Sequence, residues 1–318
     1  MANKIKLLVL CLCVGLACSL YGWWQWSHPQ ATLVFCDVGQ GDAILLTFRS
    51  TQLLVDGGPV GQKGSAAVID CLNQYMPVWD RTIEVVISTH PDADHLAGLV
   101  PVFRQFTVQQ LYIEGRAAGT KTFSEFQELV LQKRSNGLEV RSPKQGDEIW
   151  MNPEISAEVI FPFQPLGDPS IFEKELSEKD LLDLDQEQNK TIGARNSGSI
   201  ALILHVFHTN ILLTSDLEKK EELAITQSGL LRPVHIMKAG HHGSKTSNSY
   251  ELLSVVKPEV FVISCGLKNR YGHPHLEVLR RVEEFGPTIL RTDQLHDVVF
   301  TISSRNYLRR GRWLLKNL

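Results

Sequence analysis

Short apolar runs rich in β-branched residues punctuate the chain and end at turn residues. They predict strands over 31–36, 43–48, 52–55, 83–88, 110–113, 200–207, 211–214, 235–238, 260–264 and 298–302. Between them, apolar positions at three- and four-residue spacing predict helices over 66–75, 123–133, 217–226, 249–256 and 275–285. The early strands lie close enough for hairpins, whereas helices separate the later ones. That order predicts an α/β chain with two sheets and helices outside them. The pattern shows no internal repeat.

Two stretches depart from it. After Lys4 and Lys6 no Asp, Glu, Lys or Arg occurs until Asp37. Residues 5–21 are almost wholly apolar, and Trp23, Trp24 and Trp26 follow. Lysines before such a run and tryptophans after it suit a membrane span with a cytoplasmic N-terminus. A cleaved signal peptide with 7–17 as its apolar core, a lipoprotein signal ahead of Cys18 and a buried helix are the alternatives. An anchor or a cleaved signal both place residues 31–318 outside the cytoplasm, membrane-anchored or secreted. The second departure is 166–190, which carries eight acids and three lysines. It reads as a solvated loop or short surface helix inserted in the domain, with a regulatory or partner-binding segment as the sharper alternative.

Composition narrows the class without naming it. At 318 residues, 43% hydrophobic and 21% charged, the chain is globular rather than disordered or multi-span. A net charge of −3 argues against a strongly basic nucleic-acid binder. The average conceals a division: 166–190 contributes −5 and 268–318 contributes +5. In the latter, Tyr307, Arg309, Arg310, Arg312, Trp313 and Lys316 interleave rings with positive charge, as suits a single strand or an amphipathic surface tail. Only Cys36, Cys71 and Cys265 fall in the soluble part. They form no framework, and three buried thiols are expected rather than one bridge.

The chemistry gathers after strand ends. Ser88 is followed by Thr89-His90-Pro91-Asp92-Ala93-Asp94-His95, with two imidazoles and two carboxylates in six residues. That donor set suits zinc, manganese or iron(II). Asp216 ends a strand and opens a helix, where an N-cap is the plain alternative. Gly240-His241-His242-Gly243-Ser244-Lys245 follows another strand, and Asn269-Arg270-Tyr271-Gly272-His273-Pro274-His275 a third. Arg270 is placed to clamp phosphate.

The order of these clusters resembles the metallo-β-lactamase fold, an αββα sandwich with a binuclear metal site at its shared edge. The first cluster is similar to that fold's His-x-His-x-Asp-His motif, with Asp92 in place of the second His. Asp216 matches its bridging aspartate, and His241 or His242 its last histidine. The finer resemblance is to the extracytoplasmic domain of the competence DNA-channel family ComEC. It rests on Asp37-Val38-Gly39-Gln40-Gly41-Asp42-Ala43, Leu54-Val55-Asp56-Gly57-Gly58, Asn196-Ser197-Gly198-Ser199 and the two late histidine motifs. The match runs roughly from 33 to 300, as a standalone form with one membrane segment. Two departures are Leu295-His296, where a glycine is usual, and Asn196–Ser199 in place of a middle histidine ligand.

The resemblance implies two divalent ions, zinc or manganese. His90 and Asp92, with His273 as a further candidate, would hold one; Asp94, His95 and His241 or His242 the other; Asp216 would bridge. Asp92 hardens its site toward manganese. Two such ions about 3.5–4 Å apart clamp the attacking and leaving oxygens of a hydrolysis. Asp94, Asp216 or His273 would handle protons; Ser244, Lys245, Asn269 and Arg270 would hold substrate; Asp37, Asp42, Asp56 and Asn196 would orient ligands. The implied activity is an exported phosphodiesterase or nuclease acting on DNA, with a separate channel protein as a candidate partner. Another hydrolase of this fold, such as a phosphorylcholine-type esterase, and a non-catalytic DNA-binding domain are the alternatives.

Overall fold

The central strands are apolar on both faces, and both are buried. In β1 (Gln30–Phe35), Ala31, Leu33 and Phe35 enter one core while Val34 enters another. The computed structural model describes residues 29–61, 66–191 and 195–303, together with 6, 10–17 and 19.

One sheet contains β1, β2 (Ile44–Phe48), β3 (Thr51–Val55), β4 (Thr82–Ser88), β5 (Thr107–Ile113), β6 (Glu139–Arg141) and β14 (Val298–Ser303), in the order β14-β1-β2-β3-β4-β5-β6. The other contains β7 (Glu148–Asn152), β8 (Ile155–Phe161), β9 (Ala201–Val206), β10 (Thr209–Leu213), β11 (Ile236–Lys238), β12 (Val260–Ile263) and β13 (Thr288–Arg291), in the order β13-β12-β11-β10-β9-β8-β7. Their inner faces meet in one core, with Leu33, Phe35, Leu46 and Ile87 against Val159, Leu202, Leu213 and Val262. Helices Ala67–Tyr75, Leu99–Gln105 and Lys121–Arg134 cover the outside of the first sheet. Lys219–Gln227, Tyr250–Val256 and Leu276–Glu283 cover the second. The result is the expected αββα sandwich, with apolar helix faces sealing both outer layers.

Runs β3-β4-β5-β6 and β10-β11-β12-β13 are parallel. Parallel strands send their following loops to one edge, which is why motifs far apart in sequence can meet there. The opposite end carries the β2–β3 and β9–β10 turns, where Phe48 and Phe207 meet edge-on with ring centroids 5.5 Å apart.

The strands that the pattern failed to predict are β6, β7, β8 and β13, of which β8 is seven residues long, almost wholly buried and inside its sheet. Edge strands β6, β7 and β13 bury little and carry polar or charged residues, so their alternation is weak. The two short helices Ala93–Leu96 and Leu99–Gln105 follow directly from a ligand-rich turn and have no helical period to detect. The acidic insertion is more than a solvated loop. Ile171 and Phe172 of the turn Pro169–Phe172, and Leu181 of helix Glu178–Thr191, enter the outer core. Asp185 and Gln188 accept hydrogen bonds from the Gly119 and Ala117 amides at 3.1 and 2.9 Å. Residues 10–17 are helical, and among the described residues no helix is long and apolar enough to cross a membrane. Residues 5, 7–9, 18, 20 and 21 of the predicted span 5–21, and all of the basic stretch beyond 303, lie outside the described residues.

The thiol expectation is corrected. Cys36 and Cys71 form a disulfide across 35 residues, joining the end of β1 to helix Ala67–Tyr75; Cys265 is a buried thiol. Closing a loop of that length removes chain entropy worth about 3–4 kcal/mol. The Cys36→Ser/Cys71→Ser variant is expected to lose that much in urea denaturation. An unchanged midpoint would show that the bridge does not restrain the unfolded chain.

Candidate metal centre

The turn after β4 is held by close backbone contact. Gly57 N–H donates to the His95 carbonyl at 2.7 Å and Gly98 N–H to Gly58 at 2.8 Å. A Cβ on Gly98 would overlap the Gly57 carbonyl, so only glycine permits the approach. This clamp turns His90 and His95 inward, and both are buried. Asp56, Ser215, His241 and His242 have φ of 60°, 48°, 48° and 53°. Each costs about 1–3 kcal/mol for a residue with a side chain, and such strain concentrates at functional sites. The histidine turn is braced from behind by two residues that the sequence did not single out. Asn248 exchanges two hydrogen bonds with Gly240, at 2.7 and 2.9 Å, and Glu222 accepts from the Asn248 and Ser249 amides.

Asp216, at the end of β10, is the meeting point. Its Oδ2 lies 3.4 Å from His95 Nε2, 3.6 Å from His242 Nε2, 3.7 Å from His241 Nε2 and 4.0 Å from His90 Nε2. The other nitrogen of three of these rings is already engaged. His95 Nδ1 donates to Asp56 at 2.8 Å and His242 Nδ1 to the Ser264 carbonyl at 3.0 Å. Thr89 Oγ1 donates to Asp56 and accepts from Ser215, and His90 Nδ1 lies 3.1 Å from it. The Nε2 atoms of His90, His95 and His242, and Asp216 Oδ1, are buried without a hydrogen-bond partner. Buried orphans of this kind demand an explanation, and inward-facing nitrogens around a carboxylate fit a cation. Asp94 Oδ2 is 3.5 Å from His242 Nε2, and Asp92 Oδ2 is 3.8 Å from His90 Nε2. The candidate ligand atoms of Asp42, His95, Asp216 and His242 all fall within 4.8 Å of one another.

Burial, then the neighbouring His95, pushes the His90 imidazole down to about 4. Burial, His242 and His241 do the same for His273, also to about 4. Both are neutral near pH 7, as ligation requires. His95 behaves oppositely. Burial opposes its charge, but Asp216 and Asp56 outweigh burial and raise its pKa well above the usual range. Loading a cation there displaces a proton, so metal affinity is expected to weaken as pH falls. Calorimetric titration with Mn²⁺ in buffers of differing ionisation heat measures this. Binding without proton release at pH 7 would contradict it.

Not every expected residue converges. Asp42 does, but its carboxylate is taken by the ammonium of Lys238, a side chain with no exposed surface that also lies 3.9 Å from Asp216 Oδ1. Lys238 was missed because a lysine ending an apolar strand reads as that strand's exposed end. Asp56 orients His95, as expected. Asp37 does not join them: its carboxylate accepts from Gly39 N–H at 3.3 Å and pairs with His296 at 3.1 Å, fixing the opening turn. His296 has φ 60°, which accounts for a glycine preference at that position. Asn269 spends its amide on its own loop, donating to Gly266 and His273 carbonyls and accepting from His273 N–H, so it is a brace rather than a free phosphate donor. Asn196 lies in the turn 195–198, where Gly198 abuts Arg116, a buried side chain ion-paired with Glu114. His273 stacks near His241 and His242, with Nδ1 3.4 Å from Gln40 Nε2. Ser244 is buried, with its hydroxyl 3.0 Å from that of Thr246. Lys245 and Arg270 are exposed, and Arg270 lies over the Tyr271 ring at 5.0 Å.

With this fold and edge described, the class is settled: residues 36–267 match the metallo-beta-lactamase superfamily, and the chain belongs to it. Curated relatives give the finer match, among them Competence protein ComA of Neisseria gonorrhoeae, 26% identical over 265 residues. The chain is 27% identical over 227 residues to ComE operon protein 3 of Bacillus subtilis, covering 71% of this chain and 25% of that one. It is 25% identical over 268 residues to Recombination protein 2 of Haemophilus influenzae, covering 84% and 28%. It thus spans about a quarter of these relatives' length. The solved structure of the metallo-beta-lactamase fold protein YhfI from Bacillus subtilis aligns with TM-score 0.49 and 12% identity, covering 83% of this chain and 96% of that one.

Proposed function

We propose that the chain is an exported, membrane-tethered, metal-dependent phosphodiesterase that cleaves DNA during competence. The observation that carries the hydrolase reading is the ring of four Nε2 atoms around Asp216 Oδ2, with three orphaned in the interior. His90, Asp92 and His241 would hold one divalent ion, Asp94, His95 and His242 the other, and Asp216 both. Bound there, the ions would supply Lewis acidity toward a phosphodiester. The chain's own groups do the rest. Asp56 and Ser264 keep ligand nitrogens pointing inward, His273 is neutral and placed at the rim to take part in proton transfer, and Lys245 and Arg270 meet phosphate oxygens.

DNA is favoured by the relatives and by the rim. Tyr271 is 50% exposed beside Arg270, a ring and a cation of the kind that receive a base and its backbone. The acidic helix Glu178–Thr191 docks on the loop after β5 of the first sheet, whereas Lys245 and Arg270 stand on loops after β11 and β12 of the second. A polyanion therefore approaches over the 244–271 loops. The disulfide supports an oxidising compartment.

The test is a panel of double- and single-stranded DNA, RNA, a phosphorylcholine ester and a small phosphodiester, incubated with the full chain and controlled metals. DNA cleavage, faster with manganese than with magnesium alone, is expected. Intact DNA alongside a cleaved small ester would favour the esterase, and no cleavage at all a binding domain. Arg270→Ala is expected to raise KM for DNA several-fold and to lower the salt slope of binding by about one. An unchanged slope would remove Arg270 from the phosphate path. A mature N-terminus near residue 20 would remove the tether.

A further inference from the structure

The end of the sandwich opposite the metal centre carries an unusual turn. Pro77 carbonyl accepts from Asp80 N–H at 2.9 Å, closing a tight turn whose central residues are Val78 and Trp79. Asp80 locks the turn to the sheet, accepting from Thr82 N–H at 3.0 Å and from Gln52 Nε2 at 3.3 Å. Turn centres ordinarily carry small polar residues. Here Val78 is 84% exposed and Trp79 is 87% exposed, the most exposed large apolar side chains among the described residues. The fold holds both apolar groups out in solvent on a rigid support.

Topology says what lies beyond them. β1 and β4 run in the same direction, so Gln30 and Thr82 start at the same end. Ser303, the last residue of β14, pairs with Gln30 and leaves at that end too. Both flanking segments, the apolar 5–21 with the tryptophans that follow it and the 304–318 stretch of arginines and rings, therefore join the domain beside the Val78–Trp79 turn. Strands lie about 4.8 Å apart, so β1 and β4 are separated by only about 15 Å. Eight residues lie between Tyr21 and Gln30, and even fully extended the stretch reaches only about 30 Å. Arg49, in the β2–β3 turn between them, and Arg81 are both exposed at this end.

We propose that this end is a membrane-docking surface, in which Trp79 and Val78 enter the headgroup–acyl boundary of a bilayer and the metal centre faces away from it. Tryptophan prefers that boundary, and flanking arginines meet anionic headgroups. The inference rests on the proposed retention of 5–21 as a span. It adds which face the tether turns toward the lipid and which it leaves open to a polymer substrate.

The experiment uses the full chain carrying the photo-crosslinker benzoylphenylalanine at position 79, or at position 267 as control. Leu267 is 74% exposed in the loop after β12, at the metal-centre end. Each protein is reconstituted into phosphatidylcholine–phosphatidylglycerol vesicles bearing a tagged lipid, and floated before irradiation. At least about ten times more lipid adduct from position 79 than from 267 is expected. Equal yields in a protein that floats with the vesicles would overturn the docking surface and leave the tether standing. A protein that does not float would overturn the tether and the surface with it.

Discussion

Asp216→Asn is expected to abolish hydrolysis, lowering kcat/KM for any phosphodiester that the protein cleaves by at least about a thousandfold. That corresponds to the several kcal/mol that bound divalent ions contribute. The substitution keeps the side chain's shape. It removes the negative charge from the atom on which four imidazoles converge, at 3.4 to 4.0 Å. Those nitrogens have no other buried acceptor as central, so the anionic ligand proposed for both cations would be lost. Elemental analysis of the purified variant is expected to show fewer ions per chain. A variant with wild-type metal content and wild-type turnover would displace Asp216 from the centre. As prepared without metal, the variant should stay folded, because Asp56 still compensates His95.

Lys238→Met is expected to cost the metal-free protein about 3–5 kcal/mol, the usual consequence of leaving one partner of a buried ion pair alone. Lys238 is buried at the end of β11 against Asp42, close to Asp216. Methionine fills the stem's volume but not its charge, so Asp42 loses its nearest cation and keeps only the more distant Nδ1 atoms of His242 and His95, at 3.6 and 3.8 Å. Adding Asp42→Asn to Lys238→Met is expected to restore most of the loss, which separates electrostatics from packing. Urea midpoints of the single and double variants measure it. A single variant less than about 1 kcal/mol below wild type would show that Asp42 is compensated by another group. Saturating Mn²⁺ is expected to rescue the single variant more than it stabilises wild type, since a cation can then serve both carboxylates.

The residues that the fold gathers at the candidate centre were largely legible because their chemistry is uncommon. His90, Asp92, Asp94 and His95 fall within six positions, and Asp216 and His241–His242 each follow an apolar strand. That pattern needs no tertiary knowledge to be read as ligand-bearing. The supporting residues were not legible. Lys238, Glu222 and Asn248 are ordinary types at ordinary spacings, and only the packing gives each a partner. The Cys36–Cys71 bridge escaped for the same reason, since sequence spacing does not reveal which cysteines approach. Asn269 was misread because a polar side chain in a loop looks free until its backbone partners are known.

By itself, then, the sequence determined the layer pattern, the strand-end location of the chemistry and the donor types. These are set by local periodicity and residue identity. The tertiary structure alone decided which of the two histidines goes with Asp94, that both reach Asp216, that a lysine occupies Asp42, and that the acidic helix is docked rather than free. Each depends on distances between residues far apart in the chain, fixed only when parallel strands of two sheets deliver their loops to one edge. The same stacking puts both chain ends and Trp79 at the other edge.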